Sequence, residues 1–203
     1  MKPSAHDAVP ESAPDAAMRD ATVLVAVTGG IAAYKTAALV SRLAQAGATV
    51  SVLMTEAATR FVGPVTFEAL SGRPVHVSLW DQQENRDAQH IALARRADLL
   101  IIAPASANTI GKIAHGICDN VVTTVAAALP RGPEPTPVLF APAMNADMWA
   151  SPIVQQNVAT LRETLGWQQV GPDDGWQACR TAGAGRMAEP DALYAAAFDV
   201  LGA

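Results

Sequence analysis

Residues 22–54 decide the fold class, and they read TVLVAVTGGIAAYKTAALVSRLAQAGATVSVLM. The apolar run 23–27 predicts a parallel strand that is covered on both of its faces. Two glycines follow this strand, and apolar side chains then recur at helical spacing, at Ile31, Tyr34, Ala38, Leu39 and Leu43. Gly47 ends the helix before a second apolar strand. The stretch therefore predicts a β-α-β unit.

The turn of this unit, TGGIAAY, predicts a site for a nucleotide phosphate. Gly29 and Gly30 let the backbone approach a ligand closely, and the following helix presents unpaired N–H groups and its positive dipole end to an anion. The turn lacks the GxGxxG pattern, and the second strand ends without a carboxylate for a ribose diol. A mononucleotide such as FMN is therefore favoured over NAD, with Thr55 offering a hydroxyl group. A tight turn that binds no ligand is the alternative.

Composition narrows the class of protein. The 203 residues suffice for one domain with a sizeable core, and a hydrophobic content of 50% predicts a globular chain. A net charge of −5 without a Lys/Arg cluster argues against nucleic-acid binding. No apolar run approaches the roughly 20 residues that span a bilayer, and the N-terminus lacks the pattern of a signal peptide. We therefore expect a cytoplasmic protein with no membrane partner, whose two cysteines, Cys118 and Cys179, are thiols.

Strands and helices alternate along the rest of the chain. Residues 1–20 are rich in Ala, Pro and acidic residues, so we interpret them as a disordered tail before one domain over residues 21–203. Helices are predicted near 56–60, 65–70, 90–97 and 110–129, strands near 75–79, 99–103 and 138–141, and a polar loop at 81–88. This order predicts an α/β fold with one doubly wound parallel sheet, Rossmann-like or flavodoxin-like, and helices on both faces. The ligand is expected outside the carboxyl ends of the strands.

Three further segments are candidates for that site. PASANT at 104–109 begins a helix with small residues and hydroxyls, which predicts a second polar cradle or an ordinary N-cap loop. In PAMNADMW at 142–149, Asn145 offers an amide for a carboxylate or a flavin edge while Met and Trp shield the pocket, unless the segment is a turn with core side chains. Residues 175–190 are glycine-rich and irregular, which is typical of a lid or binding loop.

Six motifs, in order, carry a resemblance to a known family: TGGIA, HIAL, PASANT, CDNVVTT, PAMNADMW and ACRTAGAGRMAEP. Together they resemble the homo-oligomeric flavin-containing cysteine decarboxylases, from about residue 23 to about residue 200. PxMNxxMW and the histidine are shared with peptidyl-cysteine decarboxylases. A cysteine in a loop that closes with GxGRM is instead typical of the branch that acts in coenzyme A biosynthesis. That branch uses FMN to convert 4′-phospho-N-pantothenoylcysteine to 4′-phosphopantetheine.

The resemblance implies a reaction that needs an electron sink, because direct loss of CO2 from a cysteinyl carboxylate leaves a carbanion that nothing delocalises. Oxidation of the thiol-bearing carbon to a thioaldehyde by FMN supplies this sink, and the hydride later returns with a proton from the protein. The resemblance makes His90 the active-site base and Cys179 the proton donor. We expect His90 at a helix start, where the dipole disfavours imidazolium. A polar helix cap is the alternative reading of this histidine.

The resemblance also implies binding residues and an assembly. Those for the substrate are Asn145 and Met148, together with Gly183, Gly185 and Met187 in a flap over it. Those for FMN are Gly29, Gly30, Ile31, Thr55, Ser106, Ala107, Asn108, Thr109 and Ala143. Many relatives have serine where Gly30 stands and glycine where Arg180 stands, so cofactor affinity or flap motion is expected to differ. Family members are trimers or assemblies of trimers with flavin at the subunit interface.

No metal site is expected. His115 and Cys118 lie three residues apart on the predicted helix, but a structural zinc site needs four ligands, and we expect Cys118 to be a core thiol. Three alternatives to this decarboxylase remain: action on another cysteine such as a peptide C-terminus, flavin prenyl transfer, or a non-catalytic flavin-binding subunit that regulates a phosphatase. Bacterial relatives usually continue into a ligase domain, so the chain is interpreted as a stand-alone decarboxylase or a piece of a longer protein.

Overall fold

The computed structural model describes residues 18–80, 89–178 and 180–202. Its central sheet has five parallel strands: β1 (Thr22–Val27), β2 (Thr49–Met54), β3 (Leu99–Ala105), β4 (Val138–Pro142) and β5 (Gln168–Gln169). Their order across the sheet is β2-β1-β3-β4-β5, so the direction of winding reverses between β1 and β3. The predicted doubly wound parallel sheet is confirmed. In such a sheet the reversal point opens a crevice at the carboxyl ends of the strands.

Helices cover both faces of the sheet. They are α1 (Ala33–Gln45), α2 (Glu56–Thr59), α3 (Pro64–Ser71), α4 (Gln89–Arg96), α5 (Ala107–Ala114), α6 (Val121–Ala128), α7 (Ala146–Ala150), α8 (Pro152–Ala159) and α9 (Pro190–Leu201). A π-helical turn, Thr160–Thr164, continues α8. Among the described residues, every helix is too short or too polar to span a bilayer.

Two hydrophobic cores lie on opposite faces of the sheet because successive strand residues point in opposite directions. On one face Val23, Val25 and Val27 are fully buried among side chains of α1, α3 and α9. On the other face Leu24 and Ala26 are buried with side chains of α4, α6 and α8. Burial on both faces explains why the strands of this sheet read as apolar runs without alternation.

The predicted long helix 110–129 is wrong. The structure has α5 and α6 instead, separated by a segment in which Gly116 adopts a left-handed φ of 69°. Asn120 begins the second helix, since its side-chain oxygen accepts a hydrogen bond from the Thr123 N–H at 3.1 Å. His115 caps the end of α5, and Cys118, which we expected in the core, is exposed in the connecting segment. Within the described ranges, no group of three potential ligands that could hold a metal ion occurs.

The glycine-rich segment near the C-terminus is also more regular than predicted. It forms an antiparallel hairpin of β6 (Asp173–Trp176) and β7 (Ala182–Arg186). The predicted strand at 75–79 is reduced to one parallel bridge between Leu53 and His76. A hydrogen bond of 2.8 Å joins the Nδ1 atom of His76 to the side-chain amide of Gln89.

Two boundaries differ from the prediction as well. α1 begins at Ala33, and Ile31 and Tyr34, assigned to its apolar repeat, are 58% and 61% exposed. Met18, assigned to the tail, is fully buried in the core. Residues 1–17 of that tail and the polar loop predicted at 81–88 lie outside the described residues.

Candidate active site

A cavity of about 1060 Å³ lies at the carboxyl edge of the sheet, where the winding reverses. The segments that follow β1, β2, β3 and β4 form one side of it. The β6–β7 hairpin and the residues that lead into α9 form the other side. The cavity therefore has a wall of helix starts facing a wall made by a hairpin.

The turn after β1 supplies backbone donors to this cavity. The N–H groups of Gly29, Gly30 and Ile31 have no hydrogen-bond acceptor within the described part of the chain. A Cβ atom on Gly29 would lie 2.6 Å from the Cβ of Ala57, so the turn packs closely against α2. A Cβ atom on Gly30 would meet only the Cγ of Pro104, at 4.0 Å. This turn is a cradle into which an anion fits.

The start of α5 forms a second cradle beside the first. Ser106 caps this helix, accepting a hydrogen bond from the Thr109 N–H at 3.4 Å. Thr28, which is fully buried, joins the two cradles. Its hydroxyl donates to the carbonyl oxygen of Pro104 at 2.6 Å and accepts from the Ser106 N–H at 3.0 Å. These two hydrogen bonds fix the position of the loop after β1 relative to the loop after β3.

The segment after β4 crosses toward the hairpin. The Ala143 N–H donates to the carbonyl oxygen of Ala105 at 3.1 Å, which ties this segment to the second cradle. Asn145 caps α7, accepting from the Met148 N–H at 3.0 Å. Asn145 and Met148 both line the cavity, and Met148 is 48% exposed. An amide and a thioether are therefore both available at the cavity wall.

The hairpin is fixed to this segment by close backbone packing. The Met144 N–H donates to the carbonyl oxygen of Gly185 at 2.9 Å. A Cβ atom on Gly185 would come within 3.0 Å of the Met144 carbonyl oxygen, a separation that real Cβ atoms do not show. The buried side chain of Gln177 accepts from the Ala146 N–H and donates to the carbonyl oxygens of Gly183 and Ala184. The hairpin position therefore depends on glycine and on one amide side chain.

A cluster of three charged residues joins the hairpin to α1 at the cavity wall. The Oε1 atom of Glu189 lies 2.8 Å from the Nζ of Lys35 and 3.2 Å from the Nη1 of Arg186. Lys35 also approaches the carbonyl oxygen of Met187 at 3.4 Å. The hydrogen bond from Lys35 holds the pKa of Glu189 below its usual value, and the charges of Lys35 and Arg186 act in the same direction. Glu189 therefore stays ionised between its two cations at neutral pH.

A second ion pair lies at the far end of the cavity. The Nζ of Lys112 is 2.6 Å from the Oδ2 of Asp119, and this hydrogen bond lowers the pKa of that carboxyl group. Asp119 and Asn120 belong to the CDNVVTT motif, for which no role was predicted. Side chains that sequence reasoning missed also line the cavity: Tyr34, Lys35, Glu56, Lys112, Asp119, Asn120, Trp176, Gln177, Arg186 and Glu189.

The structure brings most of the predicted site residues together. All nine residues predicted to bind FMN line the one cavity: Gly29, Gly30, Ile31, Thr55, Ser106, Ala107, Asn108, Thr109 and Ala143. Asn145, Met148, Gly185 and Met187 line it too, whereas Gly183 packs behind the wall, where an added Cβ would lie 3.0 Å from the Cβ of Ala146. His90, in the first turn of α4, is not among the described residues that line it. Cys179 lies outside the described residues. The roles of all these residues stay predictions.

The fold and the two cradles define a doubly wound α/β protein whose cavity lies at the carboxyl edge of its sheet, where proteins of this class bind nucleotides. Comparison with known proteins identifies the family to which the chain belongs. A family model described as Flavoprotein matches residues 11–201, and the chain belongs to this flavoprotein family.

Similar proteins agree with this membership. A probable phosphopantothenoylcysteine decarboxylase of Streptococcus mutans is 44% identical over 171 residues, which cover 84% of this chain and 93% of the relative. A coenzyme A biosynthesis bifunctional protein of Bacillus subtilis is 45% identical over 174 residues. Those residues cover 86% of this chain but only 41% of that protein, so the chain spans about two fifths of this bifunctional relative.

Solved structures show the same fold. A mutant PPC decarboxylase complexed with pantothenoylaminoethenethiol superposes with a TM-score of 0.77 at 33% identity, covering 88% of this chain and 96% of the other. An FMN-dependent cysteine decarboxylase, SpaF, also gives a TM-score of 0.77, at 31% identity, covering 92% of this chain and 99% of the other.

Proposed function

We propose that this protein is a carboxy-lyase that uses FMN to decarboxylate 4′-phospho-N-pantothenoylcysteine to 4′-phosphopantetheine in coenzyme A biosynthesis. The observation that carries the proposal is the single cavity in which all nine predicted cofactor residues meet the predicted substrate residues Asn145, Met148, Gly185 and Met187. The Streptococcus mutans relative supports it, because this chain covers 93% of a protein that bears this activity in its name.

The residues of the first cradle fit an FMN phosphate. The unpaired N–H groups at 29–31 and the free N–H groups at the start of α5 converge on the cavity, which suits a phosphate dianion. The Ser106 hydroxyl donates to the Thr109 hydroxyl at 3.2 Å, which leaves the Thr109 hydroxyl as a further donor to the phosphate or the ribityl chain. Bound FMN would supply reversible hydride transfer at the thiol-bearing carbon of the substrate.

The chain's own residues position the substrate and move protons. Asn145 is held by the first turn of α7, so its amide meets the substrate carboxylate without presenting a full charge to it. Met148 and Trp176, which are 48% and 68% exposed, place apolar surface on the side of the cavity near the hairpin. Cys179, two residues after the buried Gln177, would deliver the final proton to the product carbon, and His90 would act as the base.

We further propose that a second copy of the chain completes the site, within a trimer or an assembly of trimers in the cytoplasm. His90 is partly buried on α4 but is not among the described residues that line the cavity of its own chain. Apolar side chains next to the cavity are open to solvent, since Ile31 is 58% and Tyr34 is 61% exposed. A neighbouring subunit that covers these side chains would also bring in the base.

Turnover of the phosphorylated substrate tests the activity. The FMN-loaded protein should release CO2 and 4′-phosphopantetheine, which mass spectrometry detects. His90→Asn should abolish turnover, and Cys179→Ser should accumulate an oxidised enethiol, because each variant blocks one proton transfer. His115→Asn is the matched control and should keep wild-type turnover, since His115 only ends a helix.

Two results would redirect the proposal. Turnover of a peptide with a C-terminal cysteine, with none of the phosphorylated substrate, would assign the chain to another cysteine decarboxylase, a reading that the likeness to SpaF makes worth testing. A flavin-loaded protein that turns over neither substrate would favour the regulatory subunit.

Sedimentation of wild type and of Tyr34→Glu tests the assembly, and a monomeric wild type would contradict it.

A further inference from the structure

One buried hydrogen-bond donor of a residue that lines the cavity has no acceptor among the residues that the structure describes. The Nε atom of Arg186 is buried and has no hydrogen-bond partner within the described ranges, although the side chain as a whole is 39% exposed. Its Nη1 is directed to Glu189. The remaining side of the guanidinium, formed by Nε–H and Nη2–H, is the fork that binds a phosphate or carboxylate through two parallel hydrogen bonds.

The surroundings hold this guanidinium in place before any ligand arrives. Arg186 ends β7 and crosses over Gly175 of β6, where an added Cβ would lie 3.1 Å from its Nε and 3.4 Å from its Cζ. Glu189 fixes the opposite side of the group and is itself fixed by Lys35, whose side chain is only 13% exposed. A buried donor without a partner costs free energy, and an anionic ligand oxygen would remove that cost.

The charge of the cluster also favours an anion. Lys35 and Arg186 contribute two positive charges and Glu189 one negative charge, so the cluster is net positive at the cavity wall. Arg186 lies on the hairpin and Glu189 directly follows it, whereas Lys35 lies on α1 and the cradles assigned to FMN follow β1 and β3. The Nε–Nη2 edge of Arg186 is therefore better placed for an anionic group of the substrate than for the cofactor phosphate.

The substrate of the proposed reaction carries two anionic groups, its carboxylate and its 4′-phosphate. A cation on the carboxylate would stabilise the ground state more than the transition state, because the negative charge leaves this group as CO2 forms. An arginine on the distant phosphate stabilises both states equally and favours binding without opposing the chemistry. We propose that the Nε–Nη2 edge of Arg186 binds the 4′-phosphate of the substrate and so selects phosphorylated over unphosphorylated pantothenoylcysteine.

This inference rests on the proposed function, so the experiment compares two substrates that differ only in the phosphate. For wild type, kcat/KM should be on the order of 10- to 100-fold higher for the phosphorylated substrate, mainly through KM, as expected for a charge-assisted bidentate contact. Arg186→Gln should lose that preference, because its kcat/KM falls much more for the phosphorylated substrate than for unphosphorylated pantothenoylcysteine. Arg186→Lys should recover part of the preference, because it restores the charge without the fork. Arg73→Gln, at an exposed position away from the cavity, is the control.

Several outcomes would overturn the assignment. If wild type has the same kcat/KM on both substrates, no phosphate subsite exists. If Arg186→Gln loses the same factor in kcat/KM on both substrates, Arg186 has only a structural role. A rise in both KM and kcat on both substrates would place Arg186 at the carboxylate, because that contact stabilises the ground state more than the transition state. Weaker FMN binding in a fluorescence titration would place it at the cofactor phosphate.

If wild type turns over neither substrate, the proposed function fails, and calorimetry then tests the subsite alone. Wild type should bind 4′-phosphopantetheine more tightly than pantetheine, and Arg186→Gln should bind the two alike. Equal binding of the two ligands by wild type would refute the subsite.

Discussion

Replacing Gly185 with alanine should detach the hairpin from the segment after β4. Gly185 has a φ of +131°, a region that L residues rarely adopt, and its added Cβ would collide with the backbone of Met144. The same Cβ would lie 3.0 Å from the Nε2 of Gln177, the side chain that holds the hairpin to α7. Backbone atoms cannot move aside as a flexible side chain does, so the hairpin must shift.

The size of the effect follows from two costs. The unfavourable backbone conformation costs about 1–3 kcal/mol, and overpacking against a fixed neighbour costs about 1–3 kcal/mol. Together they destabilise the attached hairpin by roughly 2–4 kcal/mol, because partial movement relieves both at once. Every 1.4 kcal/mol is about tenfold in an equilibrium constant, so the detached state gains roughly 30- to 1000-fold in population. The sheet itself is untouched.

Amide hydrogen exchange measures this change directly. The Met144 N–H, which donates to the carbonyl oxygen of Gly185, should lose protection by that factor, while amides of β1 and β3 keep theirs. Decarboxylation should fall in parallel, because the detached hairpin leaves the cavity open. Gly72→Ala is the matched control, since Gly72 also has a positive φ, +67°, but an added Cβ meets nothing within 4 Å. Unchanged protection at Met144, or equal loss in the control variant, would refute the reasoning.

Thr28→Val should lower the free energy of unfolding by about 1–3 kcal/mol in denaturant titrations, because it removes two buried hydrogen bonds. Gly30→Ser should fold normally, because the nearest atom to its Cβ is 4.0 Å away. It should bind FMN more tightly in a fluorescence titration, because the serine hydroxyl adds a hydrogen-bond donor to the cradle. The hydrogen bond from Lys35 lowers the pKa of Glu189 below 4.5. The stabilising effect of this hydrogen bond is present above the ordinary pKa of a glutamate. It disappears as the pH falls through the lowered pKa of Glu189. The thermal stability of Glu189→Gln should therefore approach that of wild type in acid.

The parallel sheet was predictable because its strands are buried on both faces and therefore read as apolar runs. The two-residue strand β5, which reads QQ, has no such run, and neither do the Ala/Gly-rich residues of β7. In the hairpin, backbone pairing and the contact between Gly185 and Met144 determine the structure, and neither produces a hydrophobic period. The prediction of one helix over 110–129 was wrong for a related reason, since the helical spacing of apolar residues did not reveal the turn at Gly116.

The cradles were predictable because glycines, hydroxyls and helix starts follow strands directly in the sequence. The charged cluster was not, because Lys35 and Glu189 are 154 residues apart and meet only when α9 packs on α1. The exposure of Ile31 and Tyr34 was missed for a different reason, since an apolar residue beside a binding cavity is indistinguishable in sequence from one in a core.

The buried hydroxyl of Thr28 has a consequence for anyone who redesigns this scaffold. Because it bonds to both Pro104 and the Ser106 N–H, the loops after β1 and β3 cannot be exchanged as independent modules. A graft that displaces residue 28 alters the start of α5 even when every residue there is kept. Libraries that aim at a different cofactor should therefore vary both loops in the same clone and select for pairs.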